Sequence, residues 1–164
     1  MAKEDITNVM RVLASAGICF TEHSYNADTT DGEEVAKLIG TDPDQTYKTL
    51  VTVAASKKNY VFVVPVNREL DLKKCAKSVG EKNIEMIPQK TLLPLTGYVH
   101  GGCSPVGLKK AFPIIFDDSC LLYEQITLSA GKRGKQITVS PKELISFLNA
   151  KTAPLSREKA VRHA

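Results

Sequence analysis

The stretch from Tyr47 to Val66 constrains the fold of this chain more than any other. YKTLVTVAA is followed by Ser56-Lys57-Lys58-Asn59 and then by YVFVVPV. β-Branched and aromatic residues suit a pleated, half-buried surface, and a four-residue polar break between two such runs predicts an antiparallel hairpin. Val61 to Val64 do not alternate with polar residues, so the second strand is expected to be covered on both faces. Lys48 breaks the apolar pattern near the start of the first strand. A lysine there either faces solvent or projects into the mouth of a pocket.

Around the hairpin the chain alternates helical and extended signals. Asp5, then Ile6, Val9, Met10 and Leu13, predicts a capped amphipathic helix closed by Gly17. Ile18 to Tyr25 reads as a strand, and Thr30 three residues before Glu33 reads as a capping box for a helix ending at Gly40. Asp71 is expected to cap a third helix ending at Gly80. Ile84–Ile87, Pro113–Phe116, Glu124–Gly131 and Lys135–Ser140 read as strands, the last two joined by Ala130 to Gly134. Ser140-Pro141-Lys142-Glu143 predicts the start of a final helix. The polar, basic segment from Lys151 to Ala164 is expected to fray. This order is not a regular βαβα repeat. It predicts one α+β domain over residues 1–164, with a mixed or antiparallel sheet curling into a barrel and flanked by helices.

Composition narrows the function classes. No apolar run approaches the ~18 residues of a membrane span, and MAKEDITNVM lacks the apolar core of a secretory signal, so a soluble cytoplasmic protein is expected. Cys19, Cys75, Cys103 and Cys120 are widely separated, and His23, His100 and His163 add no ligand spacing, which argues against zinc. The excess of 22 basic over 18 acidic residues is modest, but lysines and arginines cluster beside glycine-containing loops. A phosphate-bearing partner follows from that placement.

Two loops and one cation are the candidate site. The loops are GYVHGGCSPVG (97–107) and SAGKRG (129–134), and the cation is Lys48. Each loop is either a plain structural turn or a set of backbone donors with one hydroxyl, Ser104 or Ser129, facing a ligand. Neither matches a phosphate-binding P-loop or a dinucleotide fingerprint, and neither brings paired carboxylates or a Ser/His/Asp set. Residue types alone therefore lead to a site for an anionic, oxygen-rich partner, without choosing it.

The combination of YKTL (47–50), PVNRELDLKKCAKSVG (65–80), TGYVHGGCSPVGLKK (96–110) and SAGKRG resembles the YbaK/EbsC family of aminoacyl-tRNA deacylases, relatives of the editing domain of bacterial prolyl-tRNA synthetases. The resemblance implies a curled mixed sheet and action in trans on mischarged tRNA, without metal or cofactor. The expected substrate is Cys-tRNA(Pro), with Cys-tRNA(Cys) as a second, and prolyl-tRNA synthetase is the expected partner. By motif, Lys48 falls on the lysine that holds the acceptor phosphate or terminal adenosine, Tyr25 on the pocket tyrosine, Gly101 on the glycine facing the ester carbonyl, and Ser129 on the serine of the second loop. Gly102, Ser104, Lys132 and Arg133 accompany them as substrate-binding positions. Gln136 stands where the family tends to have aspartate, and an amide there accepts a hydrogen bond but takes no proton. The implied chemistry is attack by the substrate's own thiol, which makes the enzyme formally a lyase. The alternatives are hydrolysis of Ala-tRNA(Pro) or another small aminoacyl ester, and a non-catalytic tRNA- or synthetase-binding module.

Overall fold

The computed structural model describes residues 6–26 and 28–160. The expected cap Asp5 lies outside them. Helix α1 (Asn8–Ser15) is capped instead by Thr7, whose hydroxyl accepts from the Met10 N–H, and it buries Val9, Met10 and Leu13. Strand β1 (Phe20–Ser24) follows, then α2 (Gly32–Ile39). The cap of α2 is Asp31, one residue beyond the expected Thr30, because its carboxylate accepts the Glu33 N–H.

The hairpin forms as read. Strands β2 (Tyr47–Ala54) and β3 (Asn59–Pro65) pair antiparallel from Tyr47↔Pro65 to Val53↔Asn59. β3 is covered on both faces, since Val61 and Val63 enter one hydrophobic cluster while Phe62 and Val64 enter another. Period-two alternation thus divides a single strand between two cores.

Beyond the hairpin come β4 (Arg68–Leu70), α3 (Leu72–Val79) capped by Asp71, β5 (Ile84–Met86) and α4 (Leu92–Thr96). The chain continues through β6 (Ile114–Asp117), β7 (Ile126–Lys132), β8 (Lys135–Val139) and α5 (Pro141–Leu148), whose cap Ser140 accepts the Glu143 N–H. It ends in β9 (Lys151–Ala153) and β10 (Ser156–Glu158). Residues 151–158 therefore do not fray. β9 adds to β6 in parallel, β10 pairs antiparallel with β4, and Leu155 between them is fully buried. Three-residue polar strands carry no alternation signal, which is why the sequence reads as a tail.

The fold is α+β with a mixed five-stranded sheet, β5-β2-β3-β6-β9, an antiparallel sheet, β1-β8-β7, and the ribbon β10-β4. The expected barrel is absent, as none of these sheets closes. Thr46, the residue before β2, bridges Thr127 of β7, and β2 pairs with β5 only at Thr52–Ala54. Between those two attachments the outer edge of β2 is left without a neighbouring strand, and the candidate site opens there. Among the described residues no helix is long and apolar enough to cross a membrane.

Candidate active site

A cavity of about 310 Å³ lies against the uncovered edge of β2. That is near the lower end of the ~300–1,000 Å³ usual for small-molecule sites, so it suits a terminal group and not a polynucleotide. Tyr25, Lys48, Gly101, Ser129 and Gln136 all line it, brought together from four separate segments. Strand alternation would put Lys48 and Thr49 on opposite faces, yet both line the wall because the cavity opens along the strand's edge.

Each of these positions is held by its local structure. Tyr25 leaves β1 with its N–H bonded to the Gly134 carbonyl at 3.0 Å, which fixes it against the β7–β8 turn. Ser129 and Gln136 are cross-strand partners on β7 and β8. Beyond them the register shifts before Lys132↔Lys135, so the segment read as a loop is mostly strand with a bulge. Gly131 sits in that bulge at φ +93°, where a Cβ would stand 2.8 Å from a Val9 methyl. The Ser129 hydroxyl accepts the Gly131 N–H at 3.1 Å and keeps its own proton for a ligand. Among the described residues the Gln136 side chain makes no hydrogen bond, although it is buried.

The loop 97–107 is built around Tyr98, whose hydroxyl donates to the Val106 carbonyl. Ser104 is fully buried and its hydroxyl accepts the Val106 N–H at 3.1 Å, so it shapes the loop and does not line the cavity. Gly102 is also out of the cavity wall, packed so closely that a Cβ would stand 3.1 Å from the Arg133 nitrogen. Lys132 and Arg133 are exposed and outside the wall. Arg133 instead donates through Nε to the His100 carbonyl at 2.7 Å, a strut between the two loops. Gly101 has φ +86°, and a Cβ there would stand 2.7 Å from the Thr30 methyl.

Sequence reading missed several lining residues. Thr30 and His100 reach the wall from loops, and Thr49 lines it with a buried hydroxyl that lacks a partner among the described residues. Thr49 was detectable in principle, since it adjoins Lys48 on a strand expected to reach a pocket. His100 adjoins the glycine pair but carries no spacing signal.

The electrostatics of the wall are one-sided. Among the described residues Lys48 is the sole lysine or arginine that lines the cavity, and no carboxylate lines it. Burial holds the Lys48 ammonium below the usual lysine range, with the charge of Lys159 acting in the same direction, while Glu33, Glu69 and Asp31 oppose. The Cys103 thiol also lines the wall but is 8% exposed, and burial pushes it up to about 12. A thiol so held is protonated near neutrality and a poor nucleophile. We expect Cys103→Ala to retain turnover, measured as loss of aminoacyl ester. Loss of turnover with the fold intact would instead assign the attack to the enzyme's thiol.

Residues 26–147 match the aminoacyl-tRNA editing domain family. EbsC of Enterococcus faecalis, named for Cys-tRNA(Pro)/Cys-tRNA(Cys) deacylation, is 39% identical over 155 residues, covering 93% of this chain and 94% of EbsC. A proline–tRNA ligase of Shouchella clausii is 29% identical over 134 residues, 82% of this chain and 23% of that enzyme. A crystal structure described as a trans-editing enzyme for prolyl tRNA synthetase superposes with a TM-score of 0.76 at 26% identity, covering 91% of this chain and 96% of that one. The chain belongs to the aminoacyl-tRNA editing domain family, which bears out the resemblance carried by its motifs.

Proposed function

We propose that the protein edits mischarged tRNA by deacylating cysteinyl-tRNA(Pro), with Cys-tRNA(Cys) as a second substrate. The observation that carries this reading is the convergence of Lys48, Gly101, Ser129, Tyr25 and Gln136 on one small cavity whose wall, among the described residues, holds no carboxylate. Such a site is rich in positioning groups and poor in bases. That suits a substrate that brings its own nucleophile.

In this reading Lys48 holds an acceptor-end phosphate, and Tyr25, Ser129 and Gln136 orient the aminoacyl group. The Gly101 N–H, which makes no hydrogen bond among the described residues, faces the ester carbonyl oxygen as charge develops on it. The substrate sulfur then forms a bond to the carbonyl carbon, and the bond from that carbon to the ribose oxygen breaks. The thiol proton ends on the ribose hydroxyl, so the products are a cyclic thiolactone and free tRNA. Holding the thiol and ester in one orientation supplies most of the rate.

His100 favours one competing reading. It is the one histidine that lines the cavity among the described residues. It could serve as general base for water attack on an alanyl or seryl ester. One assay separates the two: ester loss from tRNA(Pro) charged with cysteine, alanine or serine. Loss confined to cysteine is expected. Loss of alanine or serine that is abolished by His100→Ala would replace cyclisation by hydrolysis, and no loss above a protein-free control would sink the enzymatic reading.

A further inference from the structure

The segment LSREK (155–159) looks like a solvated tail, yet the fold pins it to β4, α3 and the first turn of α2. Leu155 is fully buried, its N–H donates to the Asp117 carboxylate at 2.9 Å, and its carbonyl accepts the Asp71 N–H at 2.8 Å. The ribbon β4–β10 then sets Arg157 opposite Glu69 and Glu158 opposite Arg68, an arrangement of opposite charges that stabilises cross-strand pairs. Arg157 Nε meets Glu69 Oε1 at 2.8 Å, and Arg68 and Lys74 both bond Ser156. The strand is therefore held by side chains from β4 and α3 before it reaches Lys159.

Lys159 ion-pairs with Glu33 in the first turn of α2, the helix whose Gly32 and Val35 line the cavity. Its charge acts on Lys48, as do those of Glu33, Glu69 and Asp31. The Lys48 ammonium is thus free of hydrogen bonds and ion pairs among the described residues, whereas that of Lys159 is occupied by a carboxylate on the helix that helps to wall the cavity.

We propose that Lys159, presented by the C-terminal strand against the first turn of α2, is a second phosphate ligand that exchanges Glu33 for a phosphate of the incoming RNA 3′ strand. The proposal rests on the reading that the cavity receives the aminoacyl end of tRNA. The exchange is favourable on general grounds. Both partners of the Glu33 pair are roughly two-fifths exposed, at 42% and 43%, and pairs of that kind contribute little. A phosphate offers more acceptor oxygens and a stronger charge-assisted bond. Until RNA arrives, Glu33 neutralises an ammonium that would otherwise repel Lys48.

The test is equilibrium binding of unacylated tRNA(Pro) across a range of salt concentrations. Lys159→Ala is expected to weaken binding about fivefold, the scale of one exposed ion pair. It should also lower the slope of log affinity against log salt by about 0.7, the value for one phosphate of a single strand. Lys159→Arg should restore both. Glu33→Gln is the decisive companion, because it breaks the same pair but frees the lysine, and it should tighten binding. A purely structural pair predicts that the two variants shift binding in the same direction, or not at all, and either result overturns the proposal. If Lys48→Ala loses affinity while Lys159→Ala keeps the wild-type slope, the proposal fails and the cavity reading stands. If Lys48→Ala also binds as wild type, both fail.

Discussion

Lys48→Met is expected to lower kcat/KM for ester loss by about a hundredfold to a thousandfold, on the scale of removing one preorganised electrostatic contact, while raising the thermal midpoint. The two effects have one cause. Burial keeps the Lys48 ammonium below the ordinary lysine range, with no ion pair among the described residues to offset it. A lysine whose folded value is depressed binds its proton less well in the folded state than in the unfolded one. It therefore opposes folding while charged, and that opposition is relieved as pH rises from the depressed folded value to the ordinary unfolded value of 10.5. Methionine keeps the stem and removes the charge, so the penalty disappears at all pH values. Calorimetry beside the deacylation assay checks this. A variant that melts lower than wild type would show Lys48 to be a structural residue, and one that keeps activity would remove it from the site. The same depression predicts that wild-type activity declines with rising pH before an ordinary lysine would titrate, once spontaneous ester loss is subtracted.

Gly101→Ala should be nearly as damaging to activity, again by about a hundredfold or more if an oxyanion donor is lost. Its φ of +86° lies in the left-handed region, where an alanine is strained by roughly 1–2 kcal/mol. In addition the new Cβ would stand 2.7 Å from Cγ2 and 3.2 Å from Cβ of Thr30, and 3.3 Å from Arg133 Nε. Relief requires the loop to move, and that movement turns the Gly101 N–H away from the carbonyl it is proposed to face. Adding Thr30→Ala removes the closest atom but not the backbone strain, so the double variant should recover activity in part and stability hardly at all. Full activity in Gly101→Ala, measured by single-turnover ester loss, would remove the backbone donor from the mechanism.

Local chemistry was legible in the sequence, and adjacency between distant strands was not. The hairpin, the Asp71 and Ser140 caps and the doubly buried Val61–Val64 run follow from spacing within a dozen residues. The uncovered edge of β2 does not, because it depends on β5 attaching at Thr52–Ala54 and β7 touching at Thr46. The barrel was expected for the same reason, as strand content does not say where a sheet stops pairing. Within the site, motif reading reached Tyr25, Lys48, Gly101, Ser129 and Gln136. Gly102, Ser104, Lys132 and Arg133 are their sequence neighbours and lie outside the wall. A motif identifies a loop, but which of its residues turns inward depends on packing, as with Gly102 pressed against the β7–β8 turn. Thr30 was assigned to a helix cap and instead supports Gly101, the cap falling to Asp31.

The distribution of thiols has a practical consequence. Cys75, Cys103 and Cys120 are buried and each is pushed up to about 12, whereas Cys19 is exposed at the start of β1. Maleimide chemistry at neutral pH therefore has one accessible target in the native fold. Cys19 and Tyr25 flank opposite ends of β1, about 20 Å apart at strand rise. A fluorophore attached there would report on RNA arriving at the cavity by energy transfer without occupying it, and no cysteine would need to be engineered in or out.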